Sequence, residues 1–150
     1  MNLFNFEFNF TGLNIRNIFR RKQKLGKNNA YILFIDDETF PVVENLVKAG
    51  WSARRIKDIK NIQDEEVSRA HVIFVDYKGV GRNISEQDQG IGVIKAIKAA
   101  YGDSKRVVLY SGYARFDLSM DMRKADNQLP KNSDTYEFIS MIESELKKIK

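Results

Sequence analysis

Between Tyr31 and Glu38 the chain reads Tyr-Ile-Leu-Phe-Ile-Asp-Asp-Glu, five consecutive apolar or aromatic residues that stop on three acids. A stretch that short suits a strand buried on both faces better than a helix, and two-sided burial calls for a parallel sheet covered by helices. Two further runs have the same form. Val72-Ile-Phe-Val75 ends in Asp76, and Val107-Val-Leu-Tyr110 ends in Ser111 and Gly112. Open α/β sheets bind their ligands beyond the carboxyl ends of the strands. Three strands that each stop on a chemically competent residue therefore point to one site.

The segments between these runs alternate with them. Thr39 is expected to cap a helix with Pro41 in its first turn and Val42, Val43, Leu46 and Val47 as its buried stripe, ended by Gly50. Trp51 is expected to pack the end of this helix against the core. Residues 54–60, with Ile56 and Ile59 among basic residues, predict a weak strand at a sheet edge, where charge deters pairing. Asp64, Glu65 and Glu66 open a short helix through Val67 and Ala70, and His71 stands at a strand boundary. Residues 77–89 lack periodicity and predict a long loop directly after Asp76. Helices are expected over Gly90–Tyr101, around 116–125 and over 134–148, the last with Phe138, Ile139, Ile142 and Leu146 inward. Asn127–Lys131 is a poor strand by propensity, yet the alternation requires one there. Five βα units make a doubly wound α/β sheet.

With 43% apolar and 30% charged residues, 150 residues can build the core of one domain with a short appendage. The absence of cysteine excludes disulfides and thiolate metal sites and fits a reducing, cytoplasmic setting. No apolar run approaches the roughly 20 residues that span a bilayer. Charge divides the chain at residue 30. Arg16, Arg20, Arg21, Lys22, Lys24 and Lys27 face only Glu7, which gives the first 30 residues all of the net charge of +5. The boundaries expected are an N-terminal extension over 1–29 and a domain over 30–150. Within the extension, Phe4, Phe6, Phe8 and Phe10 alternate like one face of a strand. That strand would pair within the chain or make a homodimer by strand addition. A basic amphipathic helix with Ile15, Ile18 and Phe19 follows, fit to meet an anionic membrane, a nucleic acid or an acidic protein.

Asp36, Asp37 and Asp76 would converge at the carboxyl edge of neighbouring strands. Three carboxylates repel one another unless a cation is shared, and a hard divalent ion such as Mg2+, or Mn2+ in its place, takes oxygen ligands. Ser111 would add a hydroxyl and Lys131 an ammonium. Together these groups suit a phosphoryl group transferred to Asp76.

On these residues the chain resembles the receiver domains of two-component response regulators, the CheY-like superfamily, over about residues 30–150. Asp36 and Asp37 match the paired acids after the first strand of that family. Asp76 matches its phospho-accepting aspartate, Ser111 the Ser/Thr closing the fourth strand, and Lys131 the lysine closing the fifth. Gly90 matches the glycine that starts the third crossover helix. The resemblance implies a flavodoxin-like sheet in the order 2-1-3-4-5, with Mg2+ on Asp36, Asp37 and Asp76. It also implies a histidine kinase or phosphotransfer protein as donor and a downstream protein at the face following strands 4 and 5. Some positions depart from the pattern. The loop after Asp76 is long, Lys78 lies two residues beyond the acceptor, and Gln128 replaces the customary aromatic. Asn132 stands where a proline normally follows the lysine, so the usual cis peptide is not expected.

The function expected is that of a single-domain response regulator, with no enzyme activity beyond self-catalysed phosphorylation and dephosphorylation of Asp76. No output domain is expected after residue 150, so signalling is expected through protein contact, by passing the phosphoryl group on, or through the N-terminal arm. Two alternatives stay open. One is a receiver-like adaptor that works without phosphorylation, and the other is a Mg2+-dependent phosphate-ester hydrolase using the same acids.

Overall fold

A computed structural model describes residues 22–112 and 124–150. The phenylalanine strand and basic helix expected before residue 22 lie outside the described residues, as does nearly all of the helix expected around 116–125. Among the described residues no helix is long and apolar enough to cross a membrane.

Five strands form one parallel sheet: β1 (Tyr31–Ile35), β2 (Ser52–Ile56), β3 (Val72–Asp76), β4 (Arg106–Ser111) and β5 (Asn127–Pro130). Their order is β2-β1-β3-β4-β5, as the family resemblance implied. The helices are α1 (Pro41–Lys48), α2 (Glu65–Arg69), α3 (Gly90–Tyr101) and α4 (Thr135–Leu146). Alternation along the strands divides the core into two layers. Leu33, Ile35, Ile73, Val75, Val107 and Leu109 pack against Val67 of α2 and Ile94 and Ile97 of α3. Ile32, Phe34, Val72, Phe74, Val108 and Tyr110 pack on the other face against Leu46 of α1 and Phe138 and Ile142 of α4. Helices on both faces are what a parallel sheet needs to bury its apolar strands.

The second layer is aromatic. The rings of Phe34 and Phe74 stack with centroids 4.6 Å apart, and Tyr110 meets both edge-on at 5.9 and 6.0 Å. Trp51 joins this layer and closes α1 onto it, its N–H donating to the Leu46 carbonyl.

Local details differ from expectation in three places. The N-cap of α1 is Phe40, not Thr39, and no side chain caps it. Pro41 at the first helical position forces the residue before it into extended backbone, and Phe40 adopts φ −138° and ψ 124°. Its ring then packs on Tyr110 and Phe138. Val47 is 52% exposed, because an eight-residue helix at this edge turns only Val42, Leu46 and part of Val43 inward. Strand β2 starts at Ser52, since its ladder runs in register with β1 from Tyr31↔Ser52 to Ile35↔Ile56. Ile59, counted in the expected strand, enters the core from the loop beyond it. As expected, β2 lies at a sheet edge, Asp64 caps α2 through the Glu66 N–H, and 127–130 forms a strand.

Candidate functional site

The carboxyl ends of β1, β3 and β4 meet. Ile35 pairs with Val75 and Asp76 with Tyr110, so Asp36, the residue after β1, comes beside Asp76. The Asp36 N–H extends the ladder to the Ile56 carbonyl at 3.0 Å, and Arg55 Nη1 donates to the Asp36 carbonyl at 2.6 Å. Beyond β5, the Lys131 N–H donates to the Ser111 carbonyl at 2.8 Å. These backbone bonds fix where each functional side chain begins.

One carboxylate oxygen from each of Asp36, Asp37 and Asp76 lies within 4.8 Å of the others. Lys131 Nζ bridges two of the acids, 2.7 Å from Asp36 Oδ2 and 3.2 Å from Asp76 Oδ2. Its ammonium also lies 5.4 Å from the Tyr110 ring centroid and 5.8 Å from that of Phe40. Asp36, Asp37, Asp76 and Lys131, expected from sequence to converge, thus lie together. Ser111 is buried at the end of β4, paired in register with Pro130. Lys78 is exposed, with its ammonium 6.0 Å over the Tyr77 ring. Gln128 is half-buried in β5. No peptide among the described residues is cis.

Asp36 is wholly buried and well supplied with donors. Its Oδ1 accepts from the Glu38 N–H at 2.9 Å, and its Oδ2 accepts from the Tyr110 hydroxyl at 2.7 Å as well as from Lys131. Burial alone would raise its pKa, but the hydrogen bonds from Lys131, Tyr110 and the Glu38 N–H outweigh it and hold the carboxyl below its usual range. Asp76 goes the other way. Its pKa is raised to about 6, because burial and the nearby Asp36 charge together outweigh the pull of Lys131. Burial would lower the Lys131 pKa, but its bond to Asp36 and the two carboxylate charges keep it above the ordinary lysine value. Tyr110 is driven far above the ordinary phenol value by burial and by the Asp36 charge, so it stays a donor.

The arrangement fits a divalent cation. Three carboxylates face one ammonium, every donor is oxygen, and Asp76 is undercompensated enough to hold its proton to about pH 6. The loop after β3 closes over this edge. Gly79 has φ +86°, and a Cβ there would lie 2.6 Å from the Asp37 carboxylate. The Gly79 N–H is held by Gln89 Oε1 at 2.8 Å, and the Gly81 N–H by Asp58 Oδ1 at 2.7 Å.

Tyr110, whose hydroxyl reaches Asp36, belongs to this cluster without standing out in the sequence. It sits in an apolar run and reads there as strand filling. The available signal was a phenol placed last but one before a strand end that carries the site.

No family model matches the chain, and no curated protein does. Solved structures match its fold. NtrX from Brucella abortus, in complex with ATP, superposes with a TM-score of 0.64 at 23% identity over 79% of this chain and 27% of that one. A response regulator from Thermotoga maritima gives 0.61 at 20% identity over 79% and 98%. TrrA from Thermotoga maritima, in complex with Mg2+ and BeF, gives 0.63 at 18% over 77% and 98%. The chain thus spans about a quarter of NtrX and nearly all of the two smaller proteins. Its fold is that of the CheY-like response regulator receiver domain.

Proposed function

We propose that this protein accepts a phosphoryl group on Asp76 from a phosphohistidine of a kinase or phosphotransfer protein. The observation that carries this reading is the Lys131 ammonium bridging Asp36 and Asp76 beside a third carboxylate, Asp37. A carboxylate oxygen of Asp76 attacks phosphorus, and the bond from phosphorus to the donor imidazole nitrogen breaks. The electron pair leaves with that nitrogen, and an acyl phosphate forms on Asp76. Lys131 is assigned one phosphoryl oxygen and the Ser111 hydroxyl a second. Asp36, Asp37 and Asp76 would hold Mg2+ or Mn2+, whose charge when bound offsets the carboxylates and draws phosphoryl oxygens to the site. Hydrolysis by water at phosphorus returns the free carboxylate.

The read-out assigned to this event is protein contact at the face following β4 and β5, whose ends are joined by the bond from the Lys131 N–H to the Ser111 carbonyl. Residues 1–29 are assigned a separate role as a basic arm. Their phenylalanine alternation supports pairing with a second copy, and their charge supports an anionic surface.

Incubation with acetyl phosphate and Mg2+, followed by intact mass, tests the reading. One added phosphoryl group, absent in Asp76→Asn, is the expected result. No gain with acetyl phosphate or phosphoramidate would overturn it and favour an adaptor that works without phosphorylation.

A further inference from the structure

The buried Asp36 carboxylate carries one more donor than the site's lysine and backbone supply. On Oδ2 the Tyr110 hydroxyl and the Lys131 ammonium both sit at 2.7 Å, while the Glu38 N–H occupies Oδ1. Tyr110 is itself 0% exposed, and its ring is fixed edge-on by Phe34, Phe74 and Phe138. Its hydroxyl has no freedom to wander from Asp36. Lys131, by contrast, is divided between Asp36 at 2.7 Å and Asp76 at 3.2 Å.

We infer that Tyr110 is a positioning residue that frees Lys131 for the phosphoryl group by keeping Asp36 satisfied in its absence. The inference rests on the phosphoryl-acceptor reading. A buried acceptor left without a donor costs its full desolvation, whereas a shared acceptor that loses one of two donors costs far less. When Lys131 turns from Asp36 to an oxygen on Asp76, Asp36 Oδ2 keeps the phenol. Without the hydroxyl, the same movement strands a carboxylate oxygen in the protein interior, so the lysine stays on Asp36. Tyr110 directly precedes Ser111 and pairs in register with Asp76, so its position along β4 is fixed at the site.

The test is a double-mutant cycle read as affinity for beryllofluoride with Mg2+, measured by calorimetry on the full chain. Tyr110→Phe keeps the ring and removes only the oxygen, and is expected to weaken binding by about three- to tenfold. In a Lys131→Met background the same change is expected to leave affinity unaltered, because no ammonium then moves between the two states. Equal weakening in both backgrounds would mean that Tyr110 acts through packing, and would overturn this inference alone. An unaltered affinity for Tyr110→Phe beside wild-type Lys131 would overturn it too. Failure of the unsubstituted chain to bind would overturn the phosphoryl-acceptor reading and this inference with it.

Discussion

The carbonyl oxygen of Asp76 lies against Gly90 so closely that a Cβ at Gly90 would overlap it. The long loop after β3 leaves and returns at this point, so the start of α3 rests on the backbone of the residue proposed to accept the phosphoryl group. Gly90→Ala must push α3 or Asp76 aside. The expected cost is about 1–3 kcal/mol, read by urea denaturation, together with weakened Mg2+ binding. Gly26→Ala, with open space around its Cβ, is expected to change neither.

Asp76 carries a pKa raised to about 6, chiefly by burial. A carboxyl whose folded value lies above its unfolded value contributes stability fully present below the unfolded value and lost as pH rises through the folded one. Without divalent cation, stability is therefore expected to fall between about pH 4 and pH 6 on this account. Asp76→Asn is expected to raise the pH 7 stability of the metal-free chain by about 1–2 kcal/mol after allowance for screening. Mg2+ should stabilise the wild-type chain and have little effect on Asp76→Asn. Thermal melts at pH 5 and pH 7, with Mg2+ and with chelator, check both statements. A destabilised Asp76→Asn at pH 7 would contradict them.

Glu145 titrates in the opposite sense. It is wholly buried at the end of α4, where Arg106 Nε and Lys148 Nζ each reach it at 2.8 Å and Asn127 donates at 3.1 Å. Burial would raise its pKa, but these donors outweigh burial and lower it. Its stabilising contribution is therefore present above the ordinary glutamate value near 4.5 and is lost as pH falls below that. Glu145→Gln is expected to cost about 1–3 kcal/mol at pH 7 and to lose less on acidification than the wild type. The cost is moderated because Arg106 keeps Asp126 at 3.3 Å and Asp103 at 3.5 Å. Urea midpoints at pH 7 and pH 4 give the comparison.

The convergence of Asp36, Asp37 and Asp76 was legible because a buried parallel strand advertises itself as an apolar run, whereas Lys131 followed from the βα alternation and the sheet order from the family resemblance. The acid that stops the run must then sit at the strand's carboxyl end. Strand β2 was legible only loosely. Its Arg54 and Arg55 obscure the alternation, and Ile59 reaches the core without being in the strand. Thr39 looked like a cap by residue type, but the constraint came from Pro41 acting on Phe40. Tyr110 could not be assigned to the site from pattern alone, because a phenol that packs like phenylalanine shows its hydroxyl's target only when the opposite strand end is in place.

Gln89 ends the loop in a conformation rare for a side-chain-bearing residue, φ +48°, while its Oε1 accepts from the N–H of Gly79, whose missing side chain leaves the space the Asp37 carboxylate fills. Glycine would relax that backbone and remove the hydrogen bond together. The two effects are each about 1 kcal/mol and oppose one another in stability, so Gln89→Gly is expected to melt within a few degrees of the wild type. They do not oppose one another at the site. With Gly79 untethered, Asp37 loses the surface that fixes its carboxylate, and Mg2+ affinity is expected to drop by about two- to fivefold. Gln89→Asn shortens the side chain without relieving the backbone, and should lose both affinity and stability. Calorimetric Mg2+ titration beside thermal melts separates the two variants, and unchanged Mg2+ affinity in Gln89→Gly would show that the clasp between Gln89 and Gly79 does not reach Asp37.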